Sequence, residues 1–260
     1  MLSNELIAQH LSKELKAMVI KTYDCVDSTN DIAKDFGKNG INQALIIASE
    51  QTKGRGRRGR TFFSPKGSGI YMSILLRPDY ATDIIPLLTT AAAVAVSEAI
   101  ETVTDIKTSI KWINDLYIDY KKVCGILCES SFSSTNKLDF IIVGIGINIQ
   151  EPKGGFPIEI ADIATSLFSD KVPSEETICK LCAEITNNIF KYSNKILDRT
   201  YLDEYRKRLF ILGKEVTVIS PTENYNATPT DIDDNAHLIV KTTDGIIKII
   251  NAGEISLKIN

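Results

Sequence analysis

The amino-acid order predicts an α+β protein, with a larger N-terminal domain over residues 1–212 and a small β-barrel over 213–260. Three observations predict it. Apolar residues recur at helical spacing over 86–103 and 175–197. Residues 110–149 break into short apolar runs separated by polar turns, and after Gly213 the hydrophobic period changes to two. A chain of 260 residues has room for one sizeable core and a small appendage.

Residues 4–18 read as a helix, and the alternation over 19–25 as a strand running into Asp27, Ser28, Thr29 and Asn30, which are good helix-capping residues. Residues 31–37 fit a short helix closed by Gly37, and 44–48 a buried strand. A stretch rich in Gly and Arg, 52–69, interrupts before strand character resumes at 70–77. Over 86–103, Leu88, Ala92, Val96, Ala99 and Val103 form one stripe and Pro86 suits the first turn, so this helix should pack on a sheet. Residues 110–113, 116–119, 123–129 and 138–149 read as strands joined by hairpins rather than parallel crossovers. The stripe of Ile178, Leu181, Cys182, Ile185, Ile189, Tyr192 and Ile196 predicts one long core-packing helix over 175–197, with a second around 202–209. Short strands near 215–219, 225–232, 237–241 and 246–250 would build the small barrel.

A net charge of -3 gives no whole-chain preference for nucleic acid, so any basic patch must be local. Charges interrupt the first residues too often for a signal-peptide core, and no apolar run is expected to approach membrane-spanning length, so a soluble, cytoplasmic protein is expected. Five cysteines, an odd count, argue against a disulfide framework and for a reducing compartment. Cys179 and Cys182 form a CxxC, but Cys182 lies on the apolar helix stripe and Cys124 and Cys128 share a strand face, which are ordinary places for buried thiols rather than zinc ligands. The two histidines, His10 and His237, give no support to a His-based metal site or a Ser-His-Asp triad.

The segment Gly54-Arg55-Gly56-Arg57-Arg58-Gly59-Arg60 places four arginines and three glycines in seven residues. Guanidinium forks and unhindered backbone N–H groups suit a carboxylate or phosphate, although composition alone favours a solvated charge run or a nucleic-acid patch. The Lys-Ser/Thr of a Walker A loop is absent. In Lys111-Trp112-Ile113-Asn114-Asp115 an amide beside a carboxylate suits Mg2+ carrying a nucleotide, or simply an Asn-Asp turn. Lys122 precedes Val123-Cys124-Gly125, where it is either a cation held near a ligand or an edge-strand lysine. The run over 140–149 is apolar except for Gly144, Gly146 and Asn148, whose amide needs a partner.

Taken in order, Asp27-Ser28-Thr29-Asn30, Gln51 through Arg60, Lys111 to Asp115, Lys122 to Gly125 and Gly144 to Asn148 resemble the biotin protein ligases. Ala164-Thr165-Ser166-Leu167 and Gly253-Glu254-Ile255-Ser256-Leu257 extend the resemblance over nearly the whole chain. The resemblance implies a mixed-sheet catalytic domain related to class II tRNA synthetase cores, followed by an SH3-like barrel. It also implies that biotin and ATP join as an acyl-adenylate before biotin passes to a lysine of a biotin carboxyl carrier protein or domain. Ser28, Thr29, Asn30 and Gln51 would meet the biotin head, Gly54, Arg55, Gly56 and Arg57 would close over it, and Lys122, beside Gly125, would hold the carboxylate. Arg57, Arg60, Phe62, Lys111, Asn114 and Asn148 would serve the nucleotide, with Asp115 near its Mg2+; Lys122, Arg57 and Arg55 would be the catalytic cations. Ile113 stands where the family has proline and Phe62 where some members have tryptophan, which leaves the charged groups intact. About twenty residues precede the matching region, so DNA binding is not expected; neither is a membrane, and a homodimer is left open. Two other readings are a lipoate-type ligase of related fold and a nucleic-acid-binding module whose affinity would fall steeply with salt.

Overall fold

The computed structural model describes residues 2–78, 84–135, 137–169, 172–219, 223–251 and 254–257. Among them run α1 (Asn4–His10), β1 (Val19–Tyr23), α2 (Thr29–Lys38), β2 (Ala44–Ala48), β3 (Gly69–Leu76), α3 (Ile85–Thr104), β4 (Ser109–Lys111), β5 (Asp115–Ile118), β6 (Lys121–Phe132) and β7 (Leu138–Asn148). Then follow α4 (Glu175–Ser193), α5 (Tyr201–Arg208), β8 (Val216–Ile219), β9 (Asn224–Ile232), β10 (Leu238–Thr242), β11 (Ile247–Ile250) and β12 (Glu254–Leu257).

The first seven strands form one sheet in the order β1-β2-β3-β7-β6-β5-β4. It is mixed: β1 and β2 pair in parallel across the α2 connection, whereas β4 to β7 run as antiparallel hairpins. All five residues of β2 are buried because both faces of the sheet are covered. On one face α2 packs through Ala33 against Ala44, Ile46, Leu75 and Phe140. On the other lies the main core, dominated by α3 with α4 behind it.

Helix α3 departs from one expectation. It is long and apolar enough to cross a membrane by length and composition, but it is wrapped by the sheet, α4 and α5, and its residues from Leu87 to Ser97 are buried. A helix apolar all round is what a central core position demands.

Three element boundaries also differ from the sequence reading. Helix α1 stops at His10 because Asn187 of α4 takes both backbone groups there, donating from Nδ2 to His10 O (3.0 Å) and accepting at Oδ1 from Ser12 N (2.9 Å). Gly37 does not close α2 but sits within it, since a Cβ there would meet the Phe140 ring at 2.8 Å; the left-handed turn falls at Gly40, φ +81°. Helix α4 ends at Ser193, and Ile196 is buried in a separate 3-10 turn.

The second sheet is antiparallel, in the order β11-β10-β9-β8-β12. Its fifth strand, β12, was not anticipated from periodicity. Val216, Val218, Leu238, Val240 and Ile255 join the same core as the first sheet, and Trp112 Nε1 donates to Ala236 O (2.9 Å) across the junction. Cys124 and Cys182 are fully buried, and burial pushes both thiols up; the Cys128 thiol is pushed up to about 11.

Candidate active site

Strand β1 ends at Tyr23, and the chain turns at once into α2, which leaves Ser28, Thr29 and Asn30 at the helix start, nearly buried. A parallel bridge between Val26 and Gln51 brings Gln51 beside them. Gln51 Oε1 accepts from Thr29 N (2.9 Å) and Thr29 Oγ1 (3.1 Å), and its Nε2 donates to Ser64 Oγ (3.1 Å). Beneath them Ser73 Oγ, wholly buried on β3, donates to Asn30 Oδ1 (2.6 Å) and lies 2.7 Å from Thr29 Oγ1. Ser28, Thr29, Asn30 and Gln51 line the polar end of a cavity of about 150 Å³.

Glycine backbone forms part of the cavity wall. Gly125 of β6 pairs with Gly146 of β7, and Leu127 pairs with Gly144, so alternation along both strands puts three glycines on one face. A Cβ at Gly146 would stand 2.5 Å from the Phe62 ring, and one at Gly144 would collide with Asn30 Oδ1. At Gly125 it would stand 3.1 Å from Lys122 Nζ. The glycines therefore let Phe62, Asn30 and Lys122 approach the strands closely.

Cations line the same cavity. Arg57 Nη1 donates to Asn114 Oδ1 (3.1 Å), whose own Nδ2 donates to Ile126 O (2.8 Å), so a strand carbonyl orients the amide that orients the arginine. Lys122 Nζ lies 2.8 Å from Asp115 Oδ1 as an ion contact, and that oxygen has no hydrogen bond of its own. The arginine loop folds back on itself, with Gly56 N donating to Arg60 O (2.7 Å) and Phe62 N to Gly54 O (3.0 Å). Arg55 is held by Asp31 Oδ1 (2.8 Å) and Glu129 Oε2 (3.1 Å). Burial alone would lower its pKa, but the Glu129 and Asp31 carboxylates outweigh that and raise it.

Every residue expected at the site lines this cavity except Gly54 and Asn148. Gly54 is packed against Phe62 O and Ser64 Oγ, and Asn148 Nδ2 donates to Thr165 O (2.9 Å), tying 164–168 to the end of β7. The residues present do not fit a protein-held Mg2+. Asp115 is a single carboxylate facing Lys122, Asn114 Oδ1 is taken by Arg57, and no cluster of three His, Cys, Asp or Glu occurs among the described residues. The cavity also takes in Arg58, Thr61, Trp112, Ile126, Leu127, Gly144, Ile145, Gly146 and Ile255, none of which was singled out as a site residue. Alternate glycines in a buried strand were a usable signal for Gly144 and Gly146; Ile255, from β12, had none. Gly253, part of the C-terminal resemblance, lies outside the described residues.

The biotin/lipoate A/B protein ligase family matches residues 22–148, and the biotin protein ligase C-terminal domain matches 211–258. The bifunctional ligase/repressor BirA of Bacillus spizizenii is 33% identical over 257 residues, covering 96% of this chain and 75% of that protein. The biotin--[acetyl-CoA-carboxylase] ligase of Mycobacterium tuberculosis is 28% identical over 83% of this chain and 79% of its own length. Among solved structures, the Aquifex aeolicus biotin protein ligase in complex with biotin and ATP superposes with a TM-score of 0.74 at 32% identity, covering 92% of this chain and 98% of that one. Motif order, matched relatives and shared fold agree, and this chain belongs to the biotin protein ligase family.

Proposed function

We propose that the cavity joins biotin to ATP and then delivers biotin to a lysine. A carboxylate oxygen of biotin attacks the α-phosphorus, the bond to the pyrophosphate leaving group breaks, and biotinyl-5'-AMP forms. The ε-amine of an acceptor lysine then attacks the acyl carbon, an amide forms, the amine loses its proton and AMP leaves. Both reactants of the first step are anionic, so the site must neutralise charge before the atoms can meet. Arg57 and Lys122 supply that charge, and Arg60 and Lys111 extend it towards the phosphates.

The observation that carries this reading is one cavity that joins a hydroxyl-and-amide end to cations beside a glycine floor, a lining suited to an acid with a polar head. Ser28, Thr29, Asn30 and Gln51 would bind the head, Gly54, Arg55 and Gly56 would carry the loop over it, and Gly125 would admit the chain beside Lys122. Asn114 and Phe62 would shape the nucleotide end, whereas Asn148, its amide turned to Thr165, stays outside the cavity. Mg2+ would arrive on the ATP phosphates rather than on a protein carboxylate. The acceptor is a biotin carboxyl carrier domain, the compartment the cytoplasm, and the two sheets a synthetase-like core and an SH3-like barrel.

The test is biotin-dependent exchange of labelled pyrophosphate into ATP by the purified chain, with lipoate and no-acid controls. Exchange with biotin alone is expected. Exchange with lipoate alone would move the chain to lipoate ligation, and none with either acid would overturn the adenylation reading.

A further inference from the structure

We infer that Glu129 is a positioning residue that latches the arginine loop to the floor of the cavity, so that Arg55 serves as the loop's anchor. The inference rests on the ligase reading above and deepens it. Alternation along β6 puts Gly125, Leu127 and Glu129 on one face, so the strand that floors the cavity also carries the carboxylate just past its edge. Glu129 Oε2 accepts from Asn30 Nδ2 (2.5 Å) and from Arg55 Nη2 (3.1 Å). One oxygen thereby joins a floor amide to the loop.

Two further contacts complete the latch. Asp31, next in sequence to Asn30, holds the other terminal nitrogen of Arg55 at 2.8 Å, so the guanidinium faces two carboxylates and its charge is spent on the fold. Arg57 Nη1, by contrast, donates to the neutral amide oxygen of Asn114. At the far end of the loop Ser64 Oγ donates to Phe62 O (2.8 Å) and accepts from Gln51, so both ends of the 55–62 segment connect to the same polar floor. A molecule that fixes Asn30, Thr29 and Gln51 in place also fixes the loop that would cover it.

The experiment is a double-mutant cycle on the full chain, comparing wild type, Glu129→Ala, Arg55→Ala and the double variant. The rate of biotinyl-adenylate release and the KM and kcat of pyrophosphate exchange are measured for each. Glu129→Ala and Arg55→Ala are each expected to speed release about tenfold, the scale of a hydrogen bond to a charged group. KM for biotin should rise by more than kcat falls. The double variant should release no faster than Arg55→Ala alone. Glu129→Gln, which keeps an acceptor for Asn30 but loses the charge, should fall between wild type and Glu129→Ala, and it carries the cycle if the alanine variant does not fold. Trypsin cleavage of the 55–60 loop without ligand reads the same latch independently of the reaction, and should quicken in each variant. Release rates that multiply in the double variant, or wild-type release and cleavage in Glu129→Ala, would overturn the inference. A wild-type chain that shows no biotin-dependent exchange but a latch-dependent cleavage would overturn the ligase reading and leave the latch standing.

Discussion

Lys122 and Asp115 form one contact that bears on both stability and the proposed chemistry. Removing the lysine takes a positive charge from the cavity and leaves a mostly buried carboxylate oxygen with no partner. Lys122→Ala is therefore expected to lower the exchange rate about 10²-fold to 10³-fold and to destabilise the fold by about 1–3 kcal/mol. Adding Asp115→Asn should restore most of the stability and none of the rate, as urea midpoints and exchange assays on the same proteins would reveal. Gly144 makes a second case. A Cβ there meets an Asn30 side chain that Ser73 and Glu129 already hold, so it cannot simply swing aside. Gly144→Ala should cost about 1–3 kcal/mol and weaken biotin binding, measured as a smaller biotin-induced rise in Tm; an undiminished rise would show that the floor tolerates the methyl.

Among the elements, the helices were read from spacing and their ends were not. Helix α4 begins where the sequence places it because Ser174 Oγ accepts from Thr177 N (3.1 Å), a cap encoded within four residues. Ser174→Ala should cost about 1 kcal/mol, or about 2–4 °C in a thermal melt of a protein this size. Helix α1 ends where a side chain on another helix intervenes, which no local pattern announces. Gly37 was misread for a related reason: its small size accommodates the Phe140 ring, and only the packed sheet reveals that requirement. The hairpins of β4 to β7 were legible because turn residues and apolar runs alternate locally, whereas the parallel pairing of β1 with β2 depends on the path that α2 takes between them.

For the molecule as a whole, burial sets the alkaline limit. Burial pushes the Tyr71 phenol up to about 12, and it raises those of Tyr201 and Tyr205 as well. An unfolded tyrosine ionises near 10, so above that pH the unfolded chain binds fewer protons than the folded one and stability falls as pH rises. The contribution is complete below about pH 10 and lost through about pH 12, worth about 3 kcal/mol for Tyr71 alone. Denaturant midpoints between pH 9 and 12 should fall, and Tyr71→Phe should make that fall shallower. The secondary-structure alternation, the cationic loop, the family and most of the polar residues lining the cavity are legible in the amino-acid order, because each depends on residues close together in the chain. Packing of distant segments is what makes Ser73 support Asn30, Glu129 take both Asn30 and Arg55, Asn148 turn to Thr165, and Ile255 of the last strand close a cavity begun at Ser28. The hydrogen bonds among them join residues from 17 positions apart, for Asn148 and Thr165, to 99 apart, for Asn30 and Glu129, and strand register and sheet packing select them.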